Sequence, residues 1–186
     1  MESSADISYS RSGNDQELLN ILEIQRRNVK SVLSGEEVRS QGFVTVVHDL
    51  ELLKKMHGYC PHILARNGDK IVGYALAMVP ELRHDIPVLA SLFEMTDARL
   101  SGRNYLVMGQ ICIDKPFRGR GLFSGMYEFY REQLQREYEC LVTEVSDENQ
   151  RSLKAHLHLG FEILHTRVDK GAEWKMLVWR WRKKSN

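Results

Sequence analysis

The residues with the clearest chemical potential lie in one run, ICIDKPFRGRGLFSGMYEFYREQL, residues 111–134. An apolar, β-branched stretch enters a turn carrying Arg118, Gly119, Arg120 and Gly121, and a helical pattern follows at once. At such a strand–turn–helix junction the first-turn N–H groups have no intrahelical partner and point out of the helix N-terminus. With the helix dipole they favour an anion, and glycines let a phosphate approach the backbone closely. The two arginines add charge and bidentate donors. The pattern is that of a phosphate cradle, although an RGRG string alone also fits a solvated basic turn. It lacks the GK[ST] of a P-loop. It is not a dinucleotide fingerprint either, because Arg118 and Arg120 stand where that turn needs glycines and no acidic ribose ligand is evident. The expected ligand carries phosphate but is neither a nucleoside triphosphate nor NAD.

The turn needs elements on both sides to hold it. A first strand is expected over residues 7–10. A helix then starts at Asn14, with Glu17 completing a capping box, and its apolar positions Leu18, Leu22, Val29, Val32 and Leu33 keep one face. Ser34 and Glu37 repeat the capping signature, with Gly42 as a stop. Residues 43–47 are β-branched but too short to assign. Residues 49–57 read as a helix ended by Gly58. Residues 62–66 and 70–79 read as two strands joined by Asn67-Gly68, a strong hairpin signal. A helix over 86–99 with Gly102 after it, a strand over 105–114, a helix over 121–136 and a strand over 140–145 follow. Residues 149–159 form a helix with Gly160 at its C′ position. The strands 161–168 and 174–181, around Asp169-Lys170-Gly171, close the chain. This order predicts an α+β fold.

Composition bounds the function. The 186 residues read as one continuous domain, 1–186, with no repeat or linker. Lys plus Arg number 26 and Asp plus Glu 25, a balance that argues against a nucleic-acid partner. The basic tail from Arg180 to Lys184 alone does not supply the face that RNA binding needs. The longest run of apolar residues and glycine, 71–79, is about half of a bilayer span, so no membrane partner is expected. The opening MESSADISYSR has no apolar core of a signal peptide. Cys60, Cys112 and Cys140 are odd in number and far apart, with no CxxC pair, which suits the cytoplasm and offers no metal or redox site.

Strand, then ID-K-P-F-R-G-R-G, then helix resembles the acetyl-CoA-binding motif of the GNAT acetyltransferase superfamily, written Q/R-x-x-G-x-G/A. Arg118, Gly121 and Phe123 stand at its three defined positions. Phe123 departs from the small residue usual at the last, and Ser124 and Gly125 supply smallness one step later. A second segment, VSDENQRSLKAHLHLGFE, resembles the later motif of that family, a strand, an Asn and a helix ending in Gly-Phe. Val145, Asn149, Ser152 and Gly160-Phe161 take its marked positions. Two motifs in the right order and spacing are far more specific than either alone. The resemblance runs from about Ile7 onward and is weakest across 34–60 and 80–104.

The resemblance implies a GNAT-like mixed, largely antiparallel sheet with helices on both faces and a splayed strand pair for acetyl-CoA. Ile111, Cys112 and Ile113 would pair their backbone with the pantetheine arm, and Gly109 is a candidate bulge or a site of crowded packing. Cys112 reads as a buried strand cysteine, since no His or acid bears a motif-like relation to it. The backbone N–H groups of Arg118, Gly119, Arg120, Gly121, Leu122, Phe123 and Ser124 would hold the pyrophosphate. Asn149 would reach the pantetheine or thioester region, or cap its helix. Lys115, Arg151 and Lys154 could meet the 3′-phosphate or simply lie in solvent.

His156 stands where the family often has a Tyr that protonates the departing thiolate, so it is the candidate catalytic residue; a structural histidine is the alternative. His158, two residues on, does not share its face, so no metal is expected. Glu144 and Tyr105 are candidate bases, and Gln110 could orient substrate. His84, Asp85, Glu94 and Asp97 in the segment 80–102 could meet an amine. The implied activity is direct acetyl transfer from acetyl-CoA to a primary amine of a small molecule. A protein or peptide N-acetyltransferase and a non-catalytic acetyl-CoA-binding module are the alternatives. The last strand, apolar on both faces, suits either an interior strand or one shared in a homodimer.

Overall fold

The computed structural model describes residues 7–41, 43–169 and 171–181. It is a mixed α/β fold whose seven strands form one sheet in the order β1-β2-β3-β4-β5-β7-β6. The strands are β1 (Ile7–Arg11), β2 (Ile63–Asn67), β3 (Lys70–Met78), β4 (Tyr105–Ile113), β5 (Cys140–Ser146), β6 (Glu162–Asp169) and β7 (Ala172–Arg180). The helices are α1 (Asp15–Asn28), α2 (Gly35–Gln41), α3 (Leu50–Tyr59), α4 (Ala90–Arg99), α5 (Leu122–Leu134) and α6 (Gln150–Leu159). The pairs β1–β2, β2–β3, β5–β7 and β6–β7 are antiparallel, and β4–β5 is parallel. The chain divides into two compact units.

The first unit takes residues 7–33, 43–77 and 110–132. Asn14 caps α1 by accepting from Glu17 N at 3.1 Å, while the Glu17 carboxylate accepts from Gly13 N at 2.6 Å. Leu18, Ile21, Leu22 and Ile24 are buried along one face of α1, each worth about 1.5–3 kcal/mol of transfer free energy. The helix ends at Asn28, earlier than the apolar spacing through Val32 predicts. Val44 explains the difference. Its N–H donates to Asn28 O at 3.1 Å and its carbonyl accepts from Lys30 N at 3.0 Å, so residues 43–48 take the groups a longer helix would have used. Val29 is consequently extended, and Val32 is 62% exposed. The unassigned residues 43–47 are thus an extended segment bridged in parallel to Val29 through Val44.

Helix α3 runs through Gly58 to Tyr59, with Asp49 as its side-chain cap. The hairpin turn is Gly68-Asp69, one residue later than Asn67-Gly68, because Asn67 pairs with Lys70.

The second unit takes residues 34–41, 78–109, 133–169 and 171–181. Ser34 and Glu37 form the full reciprocal box on α2, at 3.2 and 2.9 Å. The stop expected at Gly42 lies outside the described residues, as do Lys170 of the last turn and residues 182–184 of the basic tail. The helix expected over 86–99 begins only at Ala90. Pro87 holds Ile86 at φ −129 and ψ 79, outside the helical region, and a short 3₁₀ turn, Pro87–Leu89, intervenes. β7 lies between β5 and β6, so its two-faced apolar pattern is that of an interior strand. Gly160 closes α6 in the left-handed region, as expected.

Candidate active site

The cradle segment lies in the first unit. β4 ends at Ile113, and Asp114 caps a 3₁₀ turn, Lys115–Phe117, by accepting from Lys115 N at 3.2 Å. Gly119 at φ +75 and Gly121 at φ +81 occupy the left-handed region, which only glycine enters cheaply. They turn the backbone through the tight reversal into α5. The first turn of the helix holds no acidic residue to repel an anion, and the residue before it, Gly121, has no side chain to cap it. Leu122 is buried beneath the turn, whereas Gly119, Arg120, Gly121 and Ser124 are exposed. An open face of backbone donors above a fixed apolar base is what an anion site requires.

The turn is braced from within. Arg118 does not project into solvent; its Nε donates to Ile113 O at 2.9 Å and its Nη2 to Asn28 Oδ1 at 2.6 Å. Asp114, 8% exposed, takes Arg27 Nη2 at 3.1 Å. Two residues at the end of α1 thus anchor both ends of the turn. Arg120 lies over the Phe117 ring at 5.4 Å, and Lys70 over the same ring at 5.8 Å. Of the two arginines read from sequence, Arg118 is part of the scaffold and Arg120 the exposed cation.

Along β4 the faces alternate. Gln110 and Cys112 are buried, while Ile111 and Ile113 are half-buried. Burial pushes the Cys112 thiol up to about 12, so it stays protonated and is no nucleophile. Gln110 is not available to a substrate, because both ends of its amide bond within the protein. In the second unit the β4–β5 ladder consists of Tyr105↔Cys140, Leu106↔Leu141 and Val107↔Val142. The next carbonyl, Met108 O, accepts from the Thr143 hydroxyl at 3.0 Å instead. Pairing of the two strands therefore ends before Gly109. A Cβ on Gly109 would overlap the Met78 sulfur, so crowding explains this glycine.

Asn149 caps α6, accepting from Ser152 N at 3.3 Å. His156 is 1% exposed, with its ring edge-on to Phe161 at 5.1 Å. Its Nδ1 lies 2.7 Å from Ser152 O and therefore carries the proton in the neutral ring. Burial lowers its pKa to about 4, outweighing that bond, so the ring is neutral at pH 7.

The two candidate bases are engaged elsewhere. Glu144, whose side chain is 4% exposed, forms a bidentate pair with Arg167 at 2.7 and 2.9 Å. Tyr105 donates to Asp97 at 2.7 Å, and burial raises its pKa. Asp97 also pairs with Arg83 at 2.6 Å, beside a cavity of about 350 Å³ at the start of β4. His84, Glu94, Lys115, Arg151 and Lys154 are exposed and Asp85 is half-exposed. Among the described residues no cluster of three His, Cys, Asp or Glu could hold a metal ion, and no helix is long and apolar enough to cross a membrane.

The profile of the Acetyltransferase (GNAT) family matches residues 20–161. The chain belongs to the GNAT acetyltransferase family. Among curated protein sequences no match is found. Solved structures share the fold at low identity. The Drosophila melanogaster polyamine N-acetyltransferase is 14% identical, with a TM-score of 0.69 over 94% of this chain and 100% of its own. The Escherichia coli ribosomal-protein-S18-alanine N-acetyltransferase is 13% identical, with a TM-score of 0.67 over 97% and 99%. Salmonella typhimurium yncA, solved with its cofactor acetyl-CoA, is 13% identical, with a TM-score of 0.64 over 97% and 96%.

This GNAT chain resolves its departure from the motif in a specific way. Phe123 is half-buried and packs edge-on to Tyr127 at 4.9 Å. The small residue is Gly125, where an added Cβ would overlap the Tyr9 hydroxyl and ring. Sequence reasoning missed Arg27, Asn28 and Asp114 as supports of the turn. Asp114 precedes the motif and Arg118 opens it, both in plain view, but their partners lie 87 and 90 residues away, with no local pattern to reveal them.

Proposed function

We propose that this GNAT chain moves an acetyl group from acetyl-CoA to a primary amine, and that the acceptor is a small molecule. One observation carries the cofactor assignment: the braced turn that presents the N-terminus of α5, with Gly119 and Gly121 in the left-handed region and no carboxylate in the first turn. The backbone N–H groups from Arg118 to Ser124 would take the pyrophosphate. The backbone of Ile111, Cys112 and Ile113 would run along the pantetheine arm, and Asn149 is assigned to the pantetheine or thioester region by its motif position.

Direct transfer asks little covalent chemistry of the protein. The neutral amine attacks the thioester carbonyl, its nitrogen gives up a proton to solvent, the carbon–sulfur bond breaks, and the protein's share is orientation and stabilisation of developing negative charge. His156, neutral at working pH with Nδ1–H on Ser152 O, is assigned a positioning role in α6, and the departing thiolate takes its proton from solvent. The engagement of Glu144 and Tyr105 favours one second reading, a non-catalytic acetyl-CoA-binding module.

The test is calorimetric titration of acetyl-CoA, CoA and ATP into the wild type and Gly121→Trp, followed by assay of thiol release with amines and with peptides. Binding of acetyl-CoA and CoA that is lost in Gly121→Trp is the expected result. Absence of CoA binding at millimolar concentration removes the cofactor reading. Binding without thiol release across the panel leaves the binding module.

A further inference from the structure

A buried polar network sits directly behind the residues assigned to the pantetheine arm. Gln25 of α1 is fully buried; its Oε1 accepts from His48 N at 2.8 Å. Its Nε2 lies 2.6 Å from Gln110 Oε1 and 2.8 Å from His48 Nδ1. The Tyr74 hydroxyl on β3 donates to the same Gln110 oxygen at 2.6 Å. The Gln110 amide nitrogen donates to Val46 O at 2.8 Å. The donors and acceptors fix both amide orientations, since Gln110 Oε1 meets two donors and Gln25 Oε1 meets a backbone N–H.

Such a network is a costly way to fill a core. Apolar residues of the same shape would be nearly neutral for stability, whereas a satisfied polar network imposes one geometry. The geometry imposed here is that of β4. Gln110 immediately precedes Ile111, and on an alternating strand its anchorage sets which edge the next three residues present. The same amides hold the segment 43–48 at Val46 O and at His48, while Val44 is held by the end of α1 and Thr45 and Val47 are exposed.

Resting on the cofactor assignment above, we propose that Gln25, Gln110 and Tyr74 are positioning residues that set the β4 edge for the pantetheine arm of acetyl-CoA and lock residues 43–48 against that strand. They touch no substrate. Their effect is on the part of the ligand that follows β4, and not on the phosphates at the α5 turn.

Two probes separate these parts: acetyl-CoA, and adenosine 3′-phosphate 5′-diphosphate, the fragment of CoA without pantetheine. Both are titrated calorimetrically into the wild type, Gln110→Leu, Gln25→Met and Tyr74→Phe. The expected result is an acetyl-CoA affinity about tenfold weaker in Gln110→Leu and Gln25→Met, with fragment affinity kept within about twofold. Tyr74→Phe removes one donor only and keeps the inference testable where the glutamine variants fail to fold. It should weaken acetyl-CoA about threefold and again spare the fragment. Equal weakening of both probes, or of neither, overturns the positioning role while the cofactor assignment stands. A wild type that binds neither probe overturns both.

Discussion

Arg118 stands where the GNAT motif has Gln or Arg, and its guanidinium is engaged inside the fold, on Ile113 O and Asn28 Oδ1. Its planar fork reaches two acceptors on different elements at once, which a lysine ammonium on a flexible stem does not reproduce. The contribution of Arg118 is therefore geometric, with charge secondary. Arg118→Ala should lose about 1–2 kcal/mol of stability in urea titrations, the worth of its hydrogen bonds. It should also weaken acetyl-CoA about tenfold, because the turn loses its anchor to the end of α1. Arg118→Lys is the discriminating variant. It keeps the charge, and it should bind acetyl-CoA nearly as poorly as Arg118→Ala. Wild-type affinity in Arg118→Lys would show that the turn needs a cation there and not a brace.

Helix α5 meets the sheet through a residue with no side chain. Gly125 lies against the ring of Tyr9 on β1, which itself stacks on Phe129 of α5 at 6.2 Å. Gly125→Ala should destabilise the protein by about 1–3 kcal/mol, the cost of overpacking against a rigid ring. The double variant Gly125→Ala with Tyr9→Leu should recover part of that loss in urea titrations; no recovery would place the cost in the helix backbone instead. At this scale much was legible from sequence, for reasons that are local. Capping boxes at Asn14 and Ser34, the Gly160 stop and the strand-to-turn-to-helix order all act within a few residues. Misreadings arose where a distant segment overrode a local pattern. Val29 and Val32 keep helical spacing, yet Val44 takes over the end of α1. The backbone turn of the cradle was legible because glycines and arginines cluster there. The Gln25–Gln110–Tyr74 network was not, since its bonds span 85 and 36 residues and glutamine has no periodic signature.

Across the molecule the formal charges nearly cancel, so a global excess of either sign is not what sets the response to pH near neutrality. Buried neutral histidines do. His48 and His156 are lowered to about 4 and His62 to about 3, each chiefly by burial, against 6.5 for the exposed ring. Below 6.5 the unfolded chain protonates these rings while the folded protein does not, so the unfolded state binds more protons. Their stabilisation is therefore complete above about 6.5 and is lost as pH falls through the folded values. Each ring contributes up to about 1.4 kcal/mol per pH unit to that slope. Urea unfolding of the wild type and of His156→Gln between pH 7.5 and pH 5, about the span where these rings titrate on unfolding, should show stability falling with acid. The variant's slope should be shallower by about one proton's worth. His48→Gln should do the same, with the added loss of the Gln25 contact. An unchanged slope in His156→Gln would mean that the ring takes up its proton in the folded protein over the same pH range as in the unfolded chain. The imidazolium would then return as the proton donor to the leaving thiolate, and solvent protonation would fall.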